Sequence, residues 1–256
     1  LFILLVLVTP PAMVLTEALK DGVAASLATL SDPDAQSAIW LTLRVSVVAV
    51  VLNTVFGILA AWVLVKFRFP GRQFLQILVE LPLSISPVVS GLVWLLLFGA
   101  QGWFGPLLDR WNVHIAFAVP GIILATLFVT LPYVVRTVMP VMEVQGRDAE
   151  EAAVLAGAGF WQVLWHVTLP GVRGALLSGV LLTTARALGE FGAVSVVSGH
   201  IPGETETMPL HIENLYNGYQ SVAAFTMAAL LAFMAMSAVL LRSAPDWIAR
   251  LQEKKA

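Results

Sequence analysis

The chain of 256 residues contains no cysteine. That absence excludes a disulfide framework, a thiolate metal site and a thiol nucleophile. Charge is also scarce: Asp, Glu, Lys and Arg together make up 12% of the residues, about half the share usual in soluble domains. A net charge of −2, with no basic tract, gives no reason to expect nucleic acid as a partner. The four histidines, His114, His166, His200 and His211, are scattered along the chain and form no metal-ligand pattern. No nucleophile–base pair stands out. A phosphate-binding loop needs Gly-Lys before Ser or Thr, yet Lys20, Lys66, Lys254 and Lys255 follow Leu19, Val65, Glu253 and Lys254. The chain is therefore expected to be no enzyme, to bind no ATP by that route and to carry no cofactor or metal.

Apolar residues are what it has in excess, at 59% of the chain. A soluble fold of this size needs far more polar surface. The few charges cluster between long apolar runs, the pattern of a polytopic membrane protein. A bilayer core takes about 20 apolar residues per helix, and six segments approach that: 1–19, 39–65, 74–98, 115–138, 175–197 and 222–241. The first contains Pro10 and Pro11 and is either kinked or cut short. The chain is expected to begin part-way into this helix, and residues 1–8 do not read as a cleaved signal. Pro82 and Pro87 interrupt the third segment, and Pro120 and Pro132 the fourth. Such breaks are tolerated only where neighbouring helices or a cavity satisfy the freed backbone groups, so both are expected inside the bundle.

Sidedness follows from Lys and Arg in the loops. One side carries ten: Lys66, Arg68, Arg72, Arg136, Arg147, Arg173, Arg242, Arg250, Lys254 and Lys255. The other carries two, Lys20 and Arg110, while Arg44 and Arg186 lie in helices. With six spans, both termini are expected in the cytoplasm, together with a loop at about 143–172. The outer loops, including one at about 199–220, are acidic.

Within the cytoplasmic loop, Asp148, Glu150 and Glu151 open a short Ala-rich helix, where acidic groups complement the macrodipole. Ala152, Ala153, Ala156 and Gly157 leave a shallow surface that another backbone can approach closely. Phe160, Trp161, Leu164 and Trp165 follow in an amphipathic turn that Leu169-Pro170 is expected to stop. A helix lying on lipid is usually basic on its polar face. This one is acidic, which favours protein docking.

The spacing Glu151-Ala152-Ala153, Gly157, Val167, Leu169-Pro170 resembles the EAA loop of ABC-importer permeases. The resemblance implies an all-α integral membrane fold: a single transmembrane permease domain of about six helices, of the type I importer class, in a bacterial inner membrane. It also implies that Glu151, Ala152, Ala153, Gly157, Leu169 and Pro170 belong to a coupling helix fitting a cleft on an ATP-binding subunit, where ATP and magnesium reside. A second stretch, 185–200, is similar to the fifth helix of the sulfate and molybdate permeases. The outer loop with His200, Glu213 and Tyr216, and the earlier stretches 84–92 and 98–106, resemble one of the two subunit types of the sulfate/thiosulfate importer. Pro202 departs from that branch, where a basic residue is expected. The implied partners are a second permease subunit of the sister type in a heterodimer, two ATP-binding subunits, a periplasmic sulfate-binding protein and the lipid bilayer. Molybdate or tungstate remains an alternative cargo.

The residues also suggest a pathway, with alternatives open. Ser84, Ser86 and Ser90 around Pro82 and Pro87 offer hydroxyls at a broken helix, or they simply bond preceding carbonyls. Arg186 and Glu190, four apart in the fifth span, form a structural ion pair or contact the anion. Ala185, Gly189 and Ala193 form a small-residue stripe suited to close helix packing. An intramembrane enzyme lacks its constellation here. A secondary transporter usually shows an internal repeat, and none is found.

Overall fold

The computed structural model describes residues 2–253. Leu1, Lys254 and Lys255 lie outside them, as do the side chains of Arg242 and Arg250. Among the described residues there are helices and no strands: α1 Phe2–Ala18, α2 Val23–Ser31, α3 Pro33–Lys66, α4 Arg72–Ser84, α5 Pro87–Phe98, α6 Gly105–Arg110, α7 Val119–Gln145, α8 Asp148–Leu155, α9 Phe160–Val163, a π turn Leu164–Thr168, α10 Leu169–Leu188, α11 Val194–Val197, α12 Met208–Asn217 and α13 Ser221–Glu253.

Four of these are long and apolar enough to cross a membrane: Pro33–Lys66, Val119–Gln145, Phe160–Leu188 and Ser221–Leu240. The third segment expected from sequence is not one helix. It is α4 and α5, bent by 112° and together long enough for a fifth span. The first segment is a shorter apolar helix, Leu4–Ala18. The fifth segment also ends early, because α10 stops at Leu188 and the chain leaves the helix before Ala193. The stripe of Ala185, Gly189 and Ala193 is therefore broken, and Ala193 packs elsewhere.

Local chemistry explains the boundaries. Asp32 caps α3 by accepting the Asp34 and Ala35 N–H groups at 3.2 and 3.3 Å, and Pro33, which has no N–H to satisfy, follows it. Arg44 and Lys66 of α3 are 22 residues apart, about 33 Å along a helix and close to one hydrocarbon thickness. Lys66 is the last residue of this long apolar helix. α7 ends at Gly146, which sits at φ +68°. The stop expected at Pro170 does not occur: the run from Phe160 to Leu188 is continuous. Pro170 has no N–H to give, and just before it the ladder widens to the π turn, with the Leu169 N–H reaching the Leu164 carbonyl.

α7 is the centre of the bundle, packed by α3 on one side and α10 on the other. Close approach is built into two glycines. A Cβ on Gly57 of α3 would lie 2.7 Å from the Val134 side chain, and one on Gly179 of α10 would lie 2.3 Å from Thr137 Oγ1. Asn53 adds a polar tie at mid-helix, its Nδ2 donating to Thr130 Oγ1 at 2.8 Å and to the Leu127 carbonyl at 3.0 Å. Leu64, Val134, Val138, Met142 and Val172 fill one core, and Val45, Ile122, Val194, Val197 and Leu210 a second. The expectation of burial holds for α7, whereas α4 and α5 expose Phe74, Ile77, Leu92 and Leu96.

Candidate translocation and coupling sites

The two chain breaks meet. α5 starts at Pro87, and its N-cap Ser86 makes no side-chain cap bond. Ser84 and Ser86 are exposed, while Ser90 is buried and donates to the Ser86 carbonyl at 3.3 Å. Ser90 thus bonds the carbonyl one turn back, and the other two hydroxyls stand at the surface. Against this break lies the second, between α10 and α11. A Cβ on Gly192 would lie 2.9 Å from Pro87 Cβ, and one on Gly91 would lie 2.8 Å from the Ala193 carbonyl oxygen. Two backbones interlock here with no room for a side chain.

Glu190 holds the second break together. It is 2% exposed, its Oε1 accepts the Ala193 N–H at 2.9 Å, and its Oε2 lies 2.6 Å from the Arg186 guanidinium. The expected pair therefore forms, but across the end of α10 and not along one helix face. Arg186 keeps 29% of its side chain exposed.

The loop at 198–207 and the helix α12 after it are more ordered than their polarity suggests. Ser198 Oγ donates to the Thr205 carbonyl at 2.7 Å, and the Ile201 N–H donates to Thr205 Oγ1 at 3.1 Å. His200 sits at φ +51°, with Nε2 2.9 Å from the Ser195 carbonyl; it ties the loop to α11. Glu213 is half-buried, and Tyr216 is exposed with its ring edge-on to Phe225. Glu206, one of the acidic residues of the 199–220 loop, is 2% exposed. Its carboxylate meets His211 Nδ1 at 3.1 Å and accepts from the Asn214 amide. The signal was the recurrence of Glu206, His211 and Asn214 around the start of α12, which a loop-level reading passes over.

On the other side, α8 stands out from the bundle. Glu151, Ala152 and Gly157 are exposed, Ala153 is half-buried, and Gly157 closes the helix at φ +91°. Leu155 is 89% exposed, and Val154, Trp161 and Trp165 are also largely uncovered. These residues form an exposed apolar surface around α8, of the kind that accompanies interaction sites. Leu169 is half-buried and Pro170 exposed at the head of α10.

What holds α8 in place was not legible as a unit. The Lys66 ammonium, on a side chain only 6% exposed, lies 3.2 Å from Glu150 Oε2 and also donates to the Gly146 carbonyl. Glu150 Oε1 accepts from the Thr168 hydroxyl at 2.7 Å. Trp62 of α3 meets Phe67 and Phe160 edge-on at 4.9 and 5.2 Å. Between these groups and α8 lies a mostly apolar cavity of about 680 Å³. Among the described residues, no group of three or more His, Asp or Glu side chains is placed to hold a metal ion.

Comparison with known proteins agrees with this geometry. Residues 53–256 match the family described as binding-protein-dependent transport system inner membrane components. The sulfate transport system permease protein CysW of Escherichia coli K12 is 51% identical over 251 residues, covering 98% of this chain and 86% of that protein. Its Synechocystis counterpart is 49% identical over 241 residues, covering 94% and 87%. The E. coli CysT permease is 38% identical over 212 residues, covering 83% and 76%. A bacterial alginate ABC transporter, crystallised with an alginate-bound periplasmic protein, superposes with a TM-score of 0.77 at 19% identity, over 94% of this chain and 89% of that one. That likeness speaks for the fold alone.

Proposed function

The chain belongs to the binding-protein-dependent transport system inner membrane components, and from that premise we propose that it is one permease subunit of an ATP-driven sulfate/thiosulfate importer. The observation that carries the cargo is near-half identity with CysW permeases along almost the whole chain. It works with a CysT-type permease as a heterodimer, two ATP-binding subunits that hold ATP and magnesium, and a periplasmic sulfate-binding protein. Both termini and α8 are cytoplasmic; the 198–207 loop and α12 are periplasmic.

The geometry supports a division of labour along the membrane normal. Outside, a hydrogen-bonded loop presents Glu213 and Tyr216 to the binding protein. At the interlocked breaks, Ser84, Ser86 and Arg186 supply hydroxyls and a half-open guanidinium on the path of a tetrahedral dianion, which donors can hold without full neutralisation. Glu190 fixes the Arg186 head group. Inside, Glu151, Ala152, Ala153 and Gly157 of α8 meet the ATP-binding subunit, with Leu169 and Pro170 setting the start of the helix behind them.

The test is reconstitution of this chain with its partners in liposomes. Sulfate uptake is expected only when ATP and the loaded binding protein are both supplied. Uptake without either would sink the importer reading, and uptake of molybdate in place of sulfate would change the cargo. Sidedness has its own test. Because the chain has no cysteine, Leu155→Cys is expected to react with an impermeant maleimide only from the cytoplasm and Glu204→Cys only from the periplasm. Reaction of both from the same face would overturn the topology.

A further inference from the structure

Lys66, Glu150 and Thr168 have no part in docking or in contact with cargo, yet they are the most constrained polar groups on the cytoplasmic side. Lys66 is the last residue of α3, where a cation suits the helix C-terminus. Glu150 lies in the first turn of α8, where an anion suits the N-terminus. Each placement looks locally ordinary. Together they join elements 84 positions apart in the chain, through a pair whose side chains are 6% and 15% exposed. The Thr168 hydroxyl on the second carboxylate oxygen is 2% exposed and closes the π turn from which α10 rises. Lys66 also caps the end of α7 through the Gly146 carbonyl.

We propose that Glu150 is the transmission point of this subunit: one carboxylate through which movement of the coupling helix reaches α3 by way of Lys66 and α10 by way of Thr168. This rests on the importer reading above. α8 itself is short, has no buried residue and packs chiefly against the π turn and α9, so apolar packing alone gives little grip on the spans. The carboxylate supplies that grip, because neither oxygen can leave its partner without stranding a charge or a donor in a buried site. α3 and α10 then carry the displacement along α7, past the close contacts at Gly57 and Gly179. At its far end α10 holds Arg186 and the Glu190 break. The π turn sits where α10 must bend or shift if its foot is pulled. Such turns recur at functional sites because their hydrogen bonding is easily rearranged.

The experiment uses the assembled importer and separates coupling from docking. Lys66→Met removes one link, Thr168→Val the other, and Glu150→Gln weakens both while keeping the shape. Each is expected to retain the co-purified ATPase and its basal hydrolysis, while sulfate moved per ATP falls by about tenfold, within the usual range of a coupling energy between sites. The Lys66→Met/Glu150→Gln double variant is expected to fall no further than the worse single one, since both act on one link. The swap Lys66→Glu with Glu150→Lys is expected to regain part of the loss. Asp148→Asn, an exposed charge change two residues away, is expected to leave coupling intact. Full coupling in Lys66→Met and Thr168→Val would overturn the proposal, and so would a loss of uptake that tracks loss of the ATPase from the complex. If the unaltered importer hydrolyses ATP on binding-protein contact but moves no sulfate, the cargo reading falls instead. The latch is then judged on binding-protein stimulation of hydrolysis, which the variants must still lower.

Discussion

Arg186→Met is expected to be the most destabilising single change among the charged residues of the spans, at about 3 kcal/mol. That is the lower end of the range for breaking a buried pair. The lower end applies because the Arg186 side chain is 29% exposed and already partly solvated, while that of Glu190 is 1% exposed. Removing the arginine leaves the carboxylate with only the Ala193 N–H as donor. Glu190→Gln is expected to cost less, about 1–2 kcal/mol, because the amide oxygen can keep that bond and the guanidinium can turn to water. Arg186→Met with Glu190→Gln is expected to be less destabilising than the sum of the two. The measurement is thermal unfolding of the purified permease in detergent, followed by loss of its monodisperse peak. A reversed order of the single variants would show that the arginine, not the acid, is the buried group. Unchanged stability with lost sulfate uptake would assign Arg186 to the anion alone.

The same pair shows how far the sequence could be read. Four residues' spacing was enough to expect contact, and the contact survives the end of the helix because a last turn, with the Glu190 N–H on the Ala187 carbonyl at 3.2 Å, keeps the two side chains together. The end of the helix was hidden, since no proline marks it. Gly189 and Gly192 weaken the helix there, but a glycine in a membrane span is as often a packing site as a break. At the α4–α5 junction the prolines did announce an interruption. The 112° bend was not legible, and neither was the close approach at Gly91 and Gly192, a contact between positions far apart in the chain. Most spans were legible because the bilayer acts on composition and needs no partner residue.

The helix α8 was legible for a different reason: its alanines and the glycine that ends it are contiguous in the chain. The groups that anchor it are not contiguous. Glu150 satisfied a helix-dipole reading and Lys66 a loop-charge reading, which left nothing over to suggest a pair. Glu206 was hidden in the same way, since a carboxylate in a long polar loop looks solvated until His211 and Asn214 are folded onto it. In both cases a locally sufficient explanation masked a bond that forms only on folding.

Gly157→Leu is expected to abolish coupled sulfate uptake while leaving membrane insertion intact. Two effects combine, and the structure separates them. Gly157 sits at φ +91°, a conformation costing a side-chain-bearing residue about 1–2 kcal/mol. A Cβ there would meet nothing within 4 Å in this chain, so any collision is with the docked ATP-binding subunit. Gly71 gives the control, since it has the same φ of +91° and the same open space but lies at the head of α4. Gly71→Leu imposes equal strain without intruding on α8, and is expected to retain uptake. Gly157→Ala adds strain with little bulk and is expected to fall between the two. Gly157→Leu is expected to weaken ATPase docking by about 2 kcal/mol or more, the scale of an interface hot spot. Glu151→Lys is expected to weaken docking as well, by reversing an exposed charge at the helix start, and Ser86→Ala to leave the ATPase bound. Co-purification of the ATPase and binding-protein-stimulated hydrolysis decide the matter. If Gly157→Leu kept both, and sulfate uptake with them, α8 would not be the surface that receives the motor.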